Sequence, residues 1–452
     1  MNAPPNRAYI LRLPDELLEN ILRYACSFLD GTIYERSYGQ RPETRYYTLA
    51  SWSLICRRLY PIVTSFLYAD LLIACSTPGV QHESVSKLLH RSCRQNPALW
   101  DLCQRLIVHY RDSGVIPCEK QRNPLYYIAN DFTTWFTAAK SFALFGLGRD
   151  ERAWQLLRQG LCRFRSLMEL SLIYGINYDM DLWRVVDTVS ELACPELRTL
   201  ALRGVSTGSS MERAMSQRKP RTGQIRILKL RCFLGTPADL EELVKWPLVL
   251  EEFHLEFTFG DDYGESGKYS HWSLATLQPI LAINKSTLRS IKIRAINVGG
   301  LTGFDMREFE RLEELSLSSA TICRKYKHWE SEDHSLSVLL GPRLYAFELD
   351  MTLEDQQHCE SLDDFGEIEE NWLRALGHLA VRQRRPLREI RIQFAPYAHV
   401  SSGFHDRYPW DRMDDLDREL RPNGIRVRYT PPTLSREQFE KSIRDRFTAE
   451  SC

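Results

Sequence analysis

A histidine and two cysteines lie close together in the chain, and these are residue types that bind zinc. His90 and Cys93 fall within one helix-like segment, and Cys103 comes shortly afterwards. A structural zinc site usually draws its ligands from two closely spaced pairs, and no second pair is present here. We therefore predict no metal site at these residues.

Acidic and glycine-rich segments are the other candidates for chemistry, and neither has the required arrangement. Catalysis by paired acids needs two carboxyl groups at a defined separation, whereas one cluster of acids lies on a loop-like segment. That cluster comprises Asp363, Asp364, Glu367, Glu369 and Glu370. The segment GLGRDE, which begins at Gly146, lacks the third glycine and the preceding strand of a dinucleotide-binding motif. With no Walker A, H-E-x-x-H or G-x-S-x-G motif, we predict no catalytic residue, no cofactor and no enzymatic activity.

Composition indicates a soluble protein with a large core. Of the 452 residues, 43% are hydrophobic, and the 59 basic residues are balanced by 59 acidic ones. A balanced charge gives no overall field that would attract nucleic acid or an anionic membrane. We therefore expect neither as a partner. The longest apolar stretches are also too short to span a bilayer.

The cysteines and the N-terminus favour an intracellular location. None of the 12 cysteines forms a C-x-x-C pair, and most lie inside apolar runs, as free thiols of a reducing compartment do. The opening residues, MNAPPNRAYILRLP, lack the apolar core of a secretory signal. We expect a cytoplasmic or nuclear protein, or one found in both compartments.

The N-terminal region predicts three short helices. Residues 11–26, LRLPDELLENILRYAC, place leucine and isoleucine on one side of a helix and charged residues on the other. A second helix is predicted from Leu49 to Arg57–Arg58, and Pro61 opens a third. Three helices of this size cannot cover all of their own apolar surface, so we expect a partner or the following domain to cover the rest.

These residues resemble an F-box. The resemblance lies in an L-P-x-E-L-L opening, an I-L pair, and a later L-I-C-R-R element, within residues 11–70. It implies that a set of apolar residues forms both the motif's own core and its contact surface for the Skp-family adaptor of an SCF ubiquitin ligase. The set is Leu13, Pro14, Leu17, Leu18, Ile21, Leu22, Leu54, Ile55, Cys56 and Leu59. The segment between the two halves is some twenty residues longer than in a compact F-box, and Ile55 replaces the usual valine.

Downstream, strands and helices are predicted to alternate. Residues 84–110 indicate a helix, a break at Asn96-Pro97, a shorter helix and a strand, an order similar to that found after the F-box in many fungal members of the family. An apolar triplet of L-x-x-L-x-L type then recurs. Its members are Leu167/Leu170/Leu172, Leu197/Leu200/Leu202, Ile225/Leu228/Leu230, Leu250/Phe253/Leu255, Leu288/Ile291/Ile293, Leu312/Leu315/Leu317, Leu344/Phe347/Leu349 and Leu387/Ile390/Ile392.

Segments with helical spacing separate several of these triplets, among them LWRVVDTVSEL, ADLEELVKW, WSLATLQPILAI and WLRALGHLAVRQ. The fold class is therefore predicted to be α/β. The N-terminal three-helix F-box would be followed by an irregular, leucine-rich-repeat-like βα solenoid, or horseshoe. A doubly wound α/β sheet is the alternative, and the polar middle residues of the strands argue against it, because central parallel strands are buried on both faces.

In a horseshoe the middle residue of each strand lines the open concave face. The predicted substrate-binding residues are Ser171, Lys229, His254, Lys292, Glu348 and Arg391, with Ala201 and Ser316 in the same row. Flanking residues of that face would be Arg203, Arg231, Glu252, Glu256, Arg294, Glu314, Asp350 and Glu389. Its mixed charge suits a protein ligand better than a phosphate backbone.

The predicted domains are an F-box with an internal insertion over residues 1–75, and a helical linker with an insertion over residues 76–160. A repeat domain covers residues 161–432, and a tail or helix occupies residues 433–452. The insertion at residues 121–160 is expected to be helical, and residues 207–224 and 350–371 are expected to be charged loops.

The resemblance implies a non-catalytic substrate receptor, joined through its adaptor to a cullin–RING ligase and binding an unidentified protein target. The alternatives are a repeat-type interaction scaffold that does not enter a ligase, and an enzyme built on a different βα fold.

Overall fold

A computed structural model describes residues 12–29, 43–75, 82–110, 124–148, 150–174, 180–192, 194–207, 221–257, 272–294, 296, 300–322, 329, 333–351, 365–394, 396, 407–432 and 434–441. The chain divides into two compact units, Met1–Met168 and Glu169–Cys452. Both are α/β in composition, as predicted, and all of their described ladders are parallel.

In its described residues, the first unit combines helices that begin at Asp15 with three parallel strands in chain order, β1-β2-β3. Its helices are α1 (Asp15–Leu29), α2 (Glu43–Ser53), α3 (Leu59–Ala69), α4 (His82–Gln95), α5 (Pro124–Trp135) and α6 (Glu151–Arg163), with a 3-10 helix at Pro97–Leu102. Its strands are β1 (Asp70–Cys75), β2 (Arg105–Tyr110) and β3 (Ser141–Leu147). The predicted succession of helix, break, short helix and strand up to Tyr110 is confirmed. Asn96 caps the short helix by accepting a hydrogen bond from the amide of Ala98.

Two predictions for this unit were wrong. The second helix ends at Ser53, so Leu54 and Ile55 lie in the turn after it and Leu59 already belongs to α3. The insertion at residues 121–160 is not wholly helical, because Ser141–Leu147 is a buried strand that includes Gly146. An apolar run of this length between turn signals is typical of a strand buried on both faces.

The described residues of the second unit form nine strands in one ladder, in the order β4-β6-β8-β9-β10-β11-β12-β13-β14. They are β4 (Glu169–Tyr174), β6 (Thr199–Arg203), β8 (Ile227–Arg231), β9 (Glu252–Glu256), β10 (Ser290–Arg294), β11 (Glu314–Ser318), β12 (Ala346–Met351), β13 (Glu389–Phe394) and β14 (Arg426–Tyr429). The short strands β5 (Met180–Asp181) and β7 (Val205–Ser206) pair with each other. A doubly wound sheet requires its strand order to reverse at a switch point, and the order of these nine strands does not reverse.

Helices connect many of these strands. They are α7 (Leu182–Glu191), α8 (Pro237–Lys245), α9 (Leu274–Ala282), α10 (Ser319–Ile322), α11 (Asp333–Ser337), α12 (Glu367–Arg382) and α13 (Pro409–Leu420), with a 3-10 helix at Arg421–Asn423. All four helices predicted between triplets are present, as α7, α8, α9 and α12. The cap of α8 is a reciprocal pair in which Thr236 and Asp239 satisfy each other's backbone amides.

The core of the second unit is built by the repeated triplets, except for Leu167, which belongs to the first unit. Each triplet ends on one of the strands β4, β6 and β8–β13, and each of its three side chains is at most 2% exposed. Burial of one such aliphatic side chain contributes about 1.5–3 kcal/mol, so the repeated pattern accounts for a large part of the driving force for folding. On β6, β8 and β9 the residues between the buried ones are partly exposed, which gives these strands one apolar and one polar face.

In the part of the chain that the structure describes, no helix has the length and apolar character needed to cross a membrane.

Candidate functional site

The N-terminal helices α1, α2 and α3 pack around a small core of their own. Leu18, Leu49, Leu59 and Val63 form it, with exposures of 8% or less. Further apolar side chains that pack against this core and remain partly buried are Leu13, Leu22, Trp52, Cys56, Ile62, Phe66 and Leu67. Half of the ten residues in the predicted adaptor-binding set therefore belong to the helices' own packing.

The other half of that set points outward. Leu17 and Ile21 on α1 are 48% and 43% exposed, and Leu54 and Ile55 in the turn after α2 are 83% and 62% exposed. Pro14 is exposed as well. We call Leu17, Ile21, Leu54 and Ile55 the N-terminal apolar surface. Exposed apolar side chains that lie together are typical of an interaction site, whereas single ones, such as Leu248 and Ile368, are common on protein surfaces.

Arg58 connects the two parts of this surface. Its guanidinium donates to a carboxylate oxygen of Asp15 over 2.9 Å and also donates to the carbonyl oxygen of Leu13. The start of α1 is thereby attached to the turn that carries Leu54 and Ile55. Sequence patterns do not reveal this contact, since they place Arg58 at the end of a helix rather than in the connection between two helices.

A second candidate surface is the row of middle residues on the strands of the second unit. Strand register places each of them beside its counterpart on the neighbouring strand. We call this row and its flanking side chains the polar sheet face. The row consists of Ser171, Ala201, Lys229, His254, Lys292, Ser316, Glu348 and Arg391.

This face is not uniformly open, in contrast to the prediction. Ser171, Ser316 and Glu348 are buried, with exposures of 1%, 3% and 7%, whereas Lys229, His254, Lys292 and Arg391 are partly exposed. Glu348 is held inside the face, because Ser316 donates a 2.8 Å hydrogen bond to it and the ammonium of Lys292 lies 3.7 Å away.

Ion pairs occupy most of the flanking charges. Glu256 lies 3.1 Å from Arg231 and 3.9 Å from Arg294, and Arg294 also pairs with the fully buried Asp350. Farther along the sheet, Arg391 pairs with Glu314 and Glu389, each at 3.1 Å.

The pKa of Glu314 lies below its usual value. Burial acts to raise it, but the hydrogen bond from Tyr345 and the charge of Arg391 outweigh that effect. Glu314 is therefore ionised at neutral pH. Most carboxylates of the face are paired with arginine or lysine side chains of the same face.

His254 and Lys229 differ from these paired groups. Burial lowers the pKa of His254 to about 3, and the nearby cations Lys292, Lys229 and Arg294 act in the same direction. Its imidazole is therefore neutral at physiological pH. Its Nε2 atom is buried and has no hydrogen-bond partner among the described residues, and Glu252 lies 3.7 Å away. Among those residues, no carboxylate lies within ion-pairing distance of Lys229.

The residues that suggested metal chemistry have structural roles. His90 binds a carboxylate oxygen of Asp131 at 2.8 Å and stacks on Trp135. Cys93 and Cys103 are fully buried, and burial raises the pKa of the Cys93 thiol to about 12 and that of Cys103 well above its usual value. A zinc ligand is a thiolate, which these environments disfavour. No group of three potential metal ligands occurs within the described ranges.

The predicted carboxylate cluster lies only partly within the described residues, and its described members are on a helix and not on a loop as predicted. Glu367, Glu369 and Glu370 lie in the first turn of α12, while Asp363 and Asp364 fall outside the described residues. Glu369 caps the helix by accepting a hydrogen bond from the amide of Gly366, and Glu370 is buried in ion pairs. These acids stabilise a helix and its packing.

Comparison with known proteins does not place the chain in a family. No family model matches it, and no curated protein matches its sequence.

Proposed function

We propose that this chain is the substrate-recognition subunit of an SCF-type ubiquitin ligase. Its N-terminal helices would bind a Skp-family adaptor, and its second unit would bind a target protein. The proposal combines the F-box resemblance of residues 11–70 with one structural observation, the N-terminal apolar surface.

That surface supports docking because the three helices close a core without it. Leu18 and Leu59 are buried between the helices, whereas Leu17, Ile21, Leu54 and Ile55 contribute little to that packing. An ordinary cap on the following strands would bury Leu17 and Ile21 as well. Burying these four side chains against a partner would contribute about 25 cal/mol for each Å² of apolar area removed from water.

The second unit supports a repeat-like binding domain. Each of its nine main strands pairs only with the strands before and after it in the ladder, and each triplet fills the core in the same way. We propose that it is a divergent leucine-rich-repeat-like solenoid, in which every unit depends on its neighbours. Its polar sheet face, lined by charged side chains, would receive the target.

The proposed mechanism is proximity. A ligase that holds a charged ubiquitin-conjugating enzyme near the bound target raises the effective concentration of the reacting groups. This chain then needs no reactive residue of its own, because its two binding surfaces connect the target to the cullin–RING assembly.

A pull-down of purified Skp-family adaptor by the full-length protein tests the proposal. We expect the wild type to retain the adaptor and the variant Leu17→Asp plus Ile21→Asp to lose it. Both positions are exposed, so the variant should keep its fold by circular dichroism. The matched control is Leu248→Asp plus Ile368→Asp, two side chains of similar exposure, 56% and 59%, in the second unit.

The results separate the two candidate roles. If the control variant binds and the N-terminal variant does not, the chain docks on the adaptor through the proposed surface. If the wild-type protein fails to bind, the ligase role is wrong, and an interaction scaffold outside any ligase becomes the better account.

A further inference from the structure

Three side chains at the centre of the polar sheet face form a local cationic site. Lys229, His254 and Lys292 lie on β8, β9 and β10, and strand register places them side by side. Adjacent strands are about 4.8 Å apart, so the backbones that carry the two lysines are separated by about 10 Å, with the histidine between them.

The charges around this site do not cancel. Its neighbourhood, with the two carboxylates of β12 that reach it, carries the cations Arg203, Lys229, Arg231, Lys292 and Arg294 against the carboxylates Glu252, Glu256, Glu348 and Asp350, an excess of one positive charge. Within it, Lys292 is 3.7 Å from Glu348, longer than a hydrogen bond, and Lys229 reaches no described carboxylate. Lys229 therefore has no described carboxylate as a partner, and Lys292 has a single one, which it approaches without a hydrogen bond.

The histidine between them has an unused polar atom. Nε2 of His254 is shielded from water and has no hydrogen-bond partner among the described residues. A negatively charged ligand over β9 would lie between the two lysines and over the imidazole.

We propose that Lys229, His254 and Lys292 bind an acidic segment of a protein partner, with aspartate or glutamate side chains against the two lysines. The inference rests on the proposed function in one respect, namely that the partner is the target of the ligase. It adds the chemical class of the segment that is recognised.

The residue type of the two cations, lysine, favours carboxylates over phosphates. Phosphate is matched best by the planar fork of arginine, and Arg231 and Arg294 already pair with Glu256 and Asp350. Lysine is a point charge with flexible reach, which suits separate carboxylates along a polypeptide. The face also turns acidic at Glu314, Glu348 and Asp350, so it lacks the continuous basic stripe that a nucleic-acid backbone requires.

Fluorescence anisotropy with the full-length protein tests this site. The probe is a labelled dodecapeptide of alternating serine and glutamate, compared with peptides in which glutamine or lysine replaces glutamate. At low salt we expect the acidic peptide to bind at least about tenfold more tightly than either of the others, and to weaken as salt is added.

The variant Lys229→Glu plus Lys292→Glu should lower the affinity for the acidic peptide by at least about tenfold. Lys229→Gln plus Lys292→Gln removes the charges without adding acids, and it should weaken binding too. This second variant controls for a loss of binding that is caused by misfolding of the first one. The control Lys140→Glu plus Arg311→Glu makes the same change in net charge at two exposed positions, and it should bind as the wild type does.

Two results would overturn the proposal: equal binding of the glutamate and glutamine peptides, or unchanged binding by both lysine variants. Tighter binding of a single-stranded oligothymidylate, lost in the same variants, would assign the site to nucleic acid instead. Adaptor pull-down separates this inference from the proposed function. The lysine variants should retain the adaptor, and Leu17→Asp plus Ile21→Asp should retain the acidic peptide.

Discussion

The guanidinium of Arg58 lies 2.7 Å from the carboxylate of Asp15, a residue 43 positions earlier in the chain. This pair, together with the hydrogen bond from Arg58 to the carbonyl oxygen of Leu13, brings the start of α1 close to the residues that precede α3. Both side chains are well exposed to solvent, so the pair contributes only about 0–1 kcal/mol to stability. Its main consequence is to set where the turn with Leu54 and Ile55 lies relative to α1.

Under the proposed function, Arg58→Ala is expected to reduce adaptor affinity about three- to tenfold while changing the free energy of unfolding by less than about 1 kcal/mol. Binding would be measured by titration calorimetry with the purified adaptor, and stability by urea denaturation. Arg57→Ala is the control, because Arg57 is the exposed neighbour and makes no ion pair with a described residue. Equal loss of affinity in both variants would show that general positive charge matters, and not the Asp15 contact.

Adjacent leucines on α1 should respond very differently to truncation. Leu18 is 1% exposed and Leu17 is 48% exposed. Leu18→Ala should cost about 2–5 kcal/mol, because it leaves a cavity between the three helices, whereas Leu17→Ala should change stability by less than about 0.5 kcal/mol. Hydrogen exchange of the α1–α3 amides measures the cost within this unit. Similar protection in the two variants would contradict the packing described here.

Much of the second unit could be predicted because its pattern repeats. The last two residues of the triplet at Leu228/Leu230 and of its seven counterparts all fall on strands, since apolar residues separated by one residue point to the same face of a strand. The strand at Ser141–Leu147 was missed because it is buried on both faces and shows no alternation. Leu54 and Ile55 were assigned to a helix because periodicity alone does not reveal where a helix ends.

Side-chain contacts between strands that are far apart in the sequence could not be predicted either. The sequence predicted that Glu348 and Lys292 share a face, but their 3.7 Å approach depends on the register of three adjacent strands. The neutral state of His254 likewise results from burial and from cations on β8 and β10, which become its neighbours only after folding.

The depressed pKa of His254 predicts acid sensitivity. In the unfolded chain this histidine takes up a proton near pH 6.5, whereas in the folded protein it does so only near pH 3. The unfolded state therefore binds more protons between these values, and stability falls as pH falls through that window. For this group alone, the loss between pH 7 and pH 5 is about 2 kcal/mol.

His254→Gln removes the titration while keeping a polar side chain of similar length. We expect its free energy of unfolding to fall less than that of the wild type between pH 7 and pH 5, by about 2 kcal/mol, in urea denaturation at each pH. His378→Gln serves as the control, because His378 lies at an exposed position beside Glu419. Parallel pH profiles of the wild type and His254→Gln would contradict the assignment of a neutral, buried imidazole.

The packing of α12 against α13 should depend strongly on the negative charge of the buried Glu370 carboxylate. Glu370 is 4% exposed and pairs with Arg374 on its own helix and with Arg412 on α13, the latter at 2.9 Å. Arg374 also binds Glu419 of α13, so it keeps a partner when Glu370 is removed, whereas Arg412, at 14% side-chain exposure, has no other described carboxylate. Removing one member of a buried pair leaves an uncompensated charge and costs about 3–5 kcal/mol.

Glu370→Ala should accordingly lower the free energy of unfolding by about 3–5 kcal/mol in urea denaturation, and the double variant Glu370→Ala plus Arg412→Leu should recover a large part of that loss. Recovery is expected because the second change removes the unpaired guanidinium of Arg412 and fills its space with apolar atoms. Glu367→Ala, on the exposed side of the same turn, is the control and should change stability by less than about 0.5 kcal/mol. If the double variant is no more stable than Glu370→Ala, the loss comes from the cavity and not from the unpaired guanidinium.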